Sequence, residues 1–253
     1  TTRRRGLRAM LRVSVTGRMS CEFARVVAQM HVDTGLLEGE HVPMRIAVAL
    51  FEGVTALDAI GPYEVLQRLP GAEVVFIGHH RGAVRTDNGF LGLTIDQTFE
   101  EVPNPEILLL PGGVGTRPLV KDDAILSWIR AAHETSDFTT SVCTGSLLLA
   151  AAGLLEGLKA TTHFSALPLL AKYGAIPSNE RVVREGKILT AAGVSSGIDM
   201  ALRLAELVCD EVTAKALQLM IEYDPQPPHD AGALHKVDAA VLARVQELAN
   251  EKK

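Results

Sequence analysis

The chain has 253 residues, 47% of them apolar and 22% charged, which is enough for one sizeable α/β core that needs no disulfide staples. A net charge of −5 argues against general binding to nucleic acid or anionic membranes, and the longest apolar stretches, such as Leu147 to Leu155, are too short or too interrupted to span a bilayer. Three scattered cysteines, Cys21, Cys143 and Cys209, show no CxxC or Cys/His ligand spacing, which disfavours a metal site and suits a reducing, cytoplasmic setting.

The first twenty residues hold six arginines and no acidic residue. Such a leader suits organelle targeting or, as the plainer expectation, a disordered or non-native N-terminus, so residues 1–43 are set apart and the fold is expected to start at Met44. Arg45 to Phe51 is a short apolar run that reads as a buried strand. Residues 62–69 suit a helix with Pro62 in its first turn, and Glu73 to Gly78 is a second strand. Arg85 to Asp96 alternates around Asn88-Gly89, a hairpin signal. Glu106 to Leu110 is a buried strand running into the glycine turn Pro111-Gly112-Gly113. Asp122 to His133 has helical spacing, with Ile125, Trp128, Ile129 and Ala132 on one face. Phe138 to Cys143 is the next strand, followed by a small-residue helix over 144–152 that Gly153 closes.

Further on, Lys159 to Thr162 reads as a strand, Ala166 to Tyr173 as a helix, and Glu185-Gly186 as a hairpin tip. Helices are expected over 196–209 and 212–221, then an extended strip from Asp224 to His229, and one amphipathic helix over 237–248. Strands alternating with helices imply an α/β fold with a mainly parallel open sheet and helices on both faces. One domain over 44–229 is expected, with a C-terminal tail helix in 230–253.

The strongest chemical signal is Ser141-Val-Cys-Thr-Gly145, where an apolar strand turns sharply into an apolar helix. Small residues two places either side of Cys143 allow the tight turn of a nucleophile elbow, with sulfur in place of a serine hydroxyl. A thiol at a helix N-terminus is also favoured as thiolate. A buried structural thiol is the bland alternative; Cys209, at the end of an apolar helix, is read that way. Gly112 and Gly113 end the neighbouring strand, and the Gly113 and Thr144 N–H groups are expected to hold developing negative charge. Asp58 and His163 are the candidate acid/base groups, each with a structural hydrogen bond as its plain alternative.

Leu57-Asp58-Ala-Ile-Gly61-Pro62, Leu110-Pro-Gly-Gly113, Ser141-Val-Cys-Thr-Gly-Ser146, Ala160-Thr-Thr-His163 and Glu222-Tyr-Asp-Pro225 together resemble the ThiJ/PfpI superfamily, on the flavodoxin-like, class I glutamine amidotransferase-like fold, and within it the isonitrile hydratase branch. The resemblance covers roughly Met44 to His229. It implies Cys143 as nucleophile, Asp58 as the acid set against it, Thr144 as the threonine after it, and Gly113 as a backbone donor beside the sulfur. His163 falls in a shared motif without an implied catalytic role. The resemblance also implies a homodimer acting on a small molecule, with no metal or organic cofactor. Two rival expectations are a glyoxalase or deglycase-type enzyme acting on small aldehydes, and a non-catalytic cysteine redox sensor. Thr144, where protease-like members carry histidine, argues against a Cys–His protease.

Overall fold

The computed structural model describes residues 44–251; the expectations for the leader and Cys21 lie outside the described residues. The strands are β1 (Met44–Ala49), β2 (Ala72–Gly78), β3 (Gly82–Arg85), β4 (Gly92–Ile95), β5 (Gln97–Thr98), β6 (Ile107–Leu110), β7 (Phe138–Val142), β8 (Lys159–Ala160), β9 (Ile176–Pro177), β10 (Val182–Glu185) and β11 (Ile188–Ala191). The helices are α1 (Ala56–Leu66), α2 (Thr116–Leu119), α3 (Asp123–Thr135), α4 (Gly145–Ala151), α5 (Leu167–Lys172), α6 (Ser196–Val208), α7 (Glu211–Met220) and α8 (Ala239–Glu251).

Seven strands form one sheet in the order β10-β11-β7-β6-β1-β2-β5. Every neighbouring pair is parallel except β10 with β11, which form the hairpin expected at Glu185-Gly186. Parallel strands covered on both faces read as continuous apolar runs, and β6 is buried at each of its positions. Helices α1 and α6 pack together on one face, while α4 lies against α3 and α5 on the other. The apolar stripe of α3 is seated as its spacing predicts, with Ile125, Trp128, Ile129 and Ala132 buried and Asp122 capping the helix through Oδ1. Hairpin β3–β4 turns at 86–91, around Asn88-Gly89. No helix among the described residues is long and apolar enough to cross a membrane.

The short elements β5, α2 and β9 are additions to the sequence reading, and two expected elements are displaced. The helix expected over 62–69 begins at Ala56, so Pro62 sits in its interior. A proline there removes one helical hydrogen bond, and packing offsets the loss: Ala59, Gly61, Pro62, Val65 and Leu66 are all buried. Pro62 presses on Gly197 of α6, where an added Cβ would lie 2.9 Å from its ring. The shift matters because it puts Asp58 in the first turn of α1. The strand expected over 159–162 ends at Ala160, pairing with β9 outside the main sheet. Thr161 and Thr162 instead make buried links described below.

Parallel register aligns the strand ends. Leu110 of β6 pairs with Ser141 of β7, and Val142 with Ala191 of β11, so three strands finish side by side. An open α/β sheet binds ligands at this carboxyl edge. The chain leaves β7 so closely against β6 that a Cβ on Gly145 would meet the Leu110 carbonyl oxygen at 2.0 Å. Both partners are backbone, so neither can yield cheaply. Gly145→Ala is therefore expected to cost about 3 kcal/mol or more, or to prevent soluble folding, by the usual scale of severe overpacking. Gly232→Ala, where nothing lies within 4 Å of the added Cβ, should leave the melting temperature unchanged.

Candidate active site

Cys143 follows β7 directly and adopts φ 57°, a left-handed conformation that side chains other than glycine rarely take. The surrounding backbone holds it there. Its N–H donates to the carbonyls of both Ala191 and Ala192 at 3.0 Å. Its own carbonyl accepts from Thr162 Oγ1 at 2.9 Å and Ser146 Oγ at 3.1 Å. Thr161 N–H in turn donates to Thr190 Oγ1 at 2.9 Å, tying this turn to β11. The elbow inferred from small flanking residues is thus braced by neighbours on both sides. The residue is nearly buried, with 6% of its surface exposed.

Asp58 is 0% exposed and reaches this turn from α1. Its Oδ2 accepts the Gly112 N–H at 2.9 Å, while Oδ1 has no hydrogen-bond partner among the described residues. Burial pushes the Asp58 carboxyl up to about 7, against the lowering effect of Gly112 and the Cys143 thiol. Burial also pushes the Cys143 thiol up, to about 12, and the neighbouring Asp58 charge adds to this. Two backbone N–H groups at the sulfur, those of Thr144 and Val194, work in the opposite direction. Acid and thiol therefore act on each other's protonation and titrate as a pair.

The expected pair of anion-holding donors needs correction. Gly113 N–H donates to Thr144 Oγ1 at 2.9 Å, and Gly112 N–H is taken by Asp58. The glycine loop therefore positions its neighbours and has no spare N–H at the sulfur. Thr144 supplies one such donor, and the second comes from Val194, which the sequence reading missed. Val194 follows β11 with φ 34°, a conformation that a β-branched residue does not announce in sequence. Thr144 Oγ1 also lies 3.2 Å from Thr116 Oγ1, and Thr116 bonds the Gly113 carbonyl at 2.8 Å, so the hydroxyls lock the elbow to the glycine loop.

His163 is close to the site without forming a Cys–His pair. Its Nδ1 is 2.8 Å from Ser165 Oγ, and its ring stacks on Phe164 at 4.4 Å. The ring edge lies against Gly193, where a Cβ would come within 2.7 Å, so His163 buttresses the loop bearing Val194. No hydrogen bond joins it to Cys143 or Asp58 among the described residues, and burial holds its proton affinity down. No cluster of three metal-ligating side chains occurs among the described residues. A surface depression of about 350 Å³, lined by Met44, Ile107, Phe138 and Val208, lies at the opposite, amino-terminal edge of the sheet and offers no comparable acid–thiol pair.

The DJ-1/PfpI family model matches residues 44–207. An isonitrile hydratase of Pseudomonas putida is 41% identical over 206 residues, covering 81% of this chain and 90% of that protein. A solved ThiJ/PfpI family protein from Pseudomonas syringae superposes with a TM-score of 0.78 at 36% identity, over 87% of this chain and 92% of its own. Drosophila melanogaster DJ-1beta, 20% identical, shares the fold with a TM-score of 0.65 over 72% of this chain and 98% of its own. With its family segment spanning the sheet from β1 to α6 and enclosing both Asp58 and Cys143, the chain belongs to the DJ-1/PfpI family.

Proposed function

We propose that the protein is an isonitrile hydratase-like enzyme, a hydro-lyase that adds water to an isonitrile to give an N-substituted formamide. The observation that carries this reading is the buried Asp58 carboxyl set against Cys143. The 41% identity to an isonitrile hydratase supports it.

In the proposed reaction the sulfur bonds to the terminal isonitrile carbon while Asp58 relays the thiol proton to that carbon. The product is a thioimidate, RN=CH–S–Cys143. Water then adds to the thioimidate carbon, with Asp58 as the base. The C–S bond breaks, the thiol regains its proton, and RNH–CHO leaves, so the two steps sum to isonitrile plus water. The Thr144 and Val194 N–H groups stabilise charge on the sulfur. No metal or organic cofactor takes part. We further propose a homodimer working in the cytoplasm; the exposed apolar side chains Phe90, Leu91 and Val114 suit contact with a second copy. The same acid–thiol pair also suits a second reading, a glyoxalase or deglycase-type activity on small aldehydes, and methylglyoxal turnover exceeding isonitrile turnover would favour it.

A purified sample is expected to convert a simple alkyl isonitrile to its formamide. Cys143→Ala should lower turnover to background, by about 1000-fold or more, and Asp58→Asn by about 100-fold or more. Turnover that survives in the alanine variant rules out the covalent route, and an unimpaired asparagine variant removes Asp58 from proton transfer. The form with one proton on the pair is the active one, because a protonated Asp58 beside a protonated thiol lacks a base. Thus kcat/KM should rise with pH through a midpoint near 7, the point to which burial raises Asp58.

The same shift has a cost in stability. A carboxyl raised from 3.8 to about 7 favours the folded state below its unfolded value, and that benefit disappears as pH climbs through the folded value. From pH 4 to pH 8 the stability of Asp58→Asn relative to the natural protein should therefore grow, by up to about 4 kcal/mol. Urea melts at the two pH values measure this; an equal difference at both would show that Asp58 is not held protonated by the fold.

A further inference from the structure

A second carboxylate, outside the reacting pair, is tied into the same frame. Asp87 lies in the turn between β3 and β4, and its Oδ2 accepts a hydrogen bond from Thr55 Oγ1 at 3.0 Å. Its N–H donates to the Val54 carbonyl, also at 3.0 Å. Thr55 is the junction. Its N–H donates to the Gly112 carbonyl at 2.9 Å, and its carbonyl accepts the Asp58 N–H at 3.1 Å. Gly112 N–H then reaches Asp58 Oδ2. One residue thus connects Asp87 to both supports of Asp58.

The direction of the Thr55 bond is informative. Thr55 is the N-cap of α1, where a threonine oxygen ordinarily accepts from the first-turn N–H groups; here it makes no such cap. Its hydroxyl is turned to Asp87 instead. Asp87 is exposed and Asp58 is buried, so the field of the Asp87 carboxylate reaches inward from the surface to Asp58. Facing Asp58 are the Cys143 thiol from the elbow and Asp87 from the hairpin, and no basic side chain acts on it among the described residues. Helix α6 meets α1 there with Gly197 and Ile198, and β1 and β2 meet it with apolar side chains.

We propose that Asp87 is a positioning residue for the Asp58–Cys143 pair, its carboxylate on the Thr55 junction adding to the effect of burial in favouring the proton on Asp58 and so raising the pH at which the sulfur becomes reactive. The inference rests on the acid–thiol pairing of the proposed reaction, and not on the substrate being an isonitrile. In this scheme the hairpin acts as an electrostatic bias on the site without touching the substrate.

The test is the pH dependence of Cys143 alkylation by iodoacetamide in the full chain, which reads the sulfur whatever the substrate proves to be. The reaction rate should rise through a midpoint that reports loss of the first proton from the pair. In Asp87→Asn, which keeps an acceptor for Thr55, that midpoint should fall by about half a pH unit at low salt. Asp87→Glu, which keeps the charge, should stay within about 0.2 unit of the natural protein. Raising the salt to about 1 M should lower the midpoint of the natural protein and leave Asp87→Asn unmoved, because an exposed charge is screened. A midpoint in Asp87→Asn within about 0.1 unit of the natural one, or higher, overturns the proposal. Should Asp87→Asn fail to fold, the salt series on the natural protein decides the matter alone: a midpoint indifferent to salt overturns it. Absence of isonitrile turnover with a salt-sensitive midpoint would overturn the proposed substrate and leave Asp87's role standing.

Discussion

A carboxyl group with no access to water, placed against a nearly buried thiol, is the constraint around which the site is organised. Burying two such groups together is unfavourable unless protons or hydrogen bonds neutralise them. Gly112 N–H answers one oxygen of Asp58, and the other is left without a protein partner. The remaining compensation is protonation, since burial raises both the acid and the thiol. The arrangement exchanges stability for reactivity, since a pair content at neutral pH would have no proton to move.

The sheet makes this placement possible. Strands β6, β7 and β11 end in register, so their loops converge without needing long insertions. Close backbone approach at Gly145 sets the elbow, and hydroxyls on Thr144, Thr116 and Thr162 fasten it to the neighbouring turns. Left-handed backbone at Cys143 and Val194 is strain of about 1–3 kcal/mol each, which the surrounding hydrogen bonds hold in place. That strain directs a side chain and an N–H group into one small volume.

Much of this could be read from sequence, for physical reasons. Buried parallel strands tend to be apolar runs, and the run ending at Leu110 marked the sheet edge where the site lies, while β7 is buried although three of its five residues carry hydroxyls. The small residues flanking Cys143 disclosed the elbow because only small side chains fit where two backbones touch. Asp58 was identified while its setting was not: Pro62 looked like a helix start, and only packing against Gly197 explains a proline carried inside α1. The Gly113 donor was misassigned because a glycine turn shows where N–H groups lie and not which acceptor takes them; Thr144 Oγ1 takes this one. Val194 could not have been found, since a backbone N–H is present in every residue but proline and its aim depends on the loop.

Family membership accounts for the fold, and the sulfur with its acid accounts for the chemistry proposed on it. The most direct measurement is intact-mass spectrometry of the protein, acid-quenched within a turnover after mixing with one equivalent of an alkyl isonitrile. The expected result is a transient species heavier by the mass of the isonitrile, located by peptide mapping to Cys143 and decaying as the formamide appears. Formamide accumulating while Cys143 stays unmodified at every time point would contradict the account.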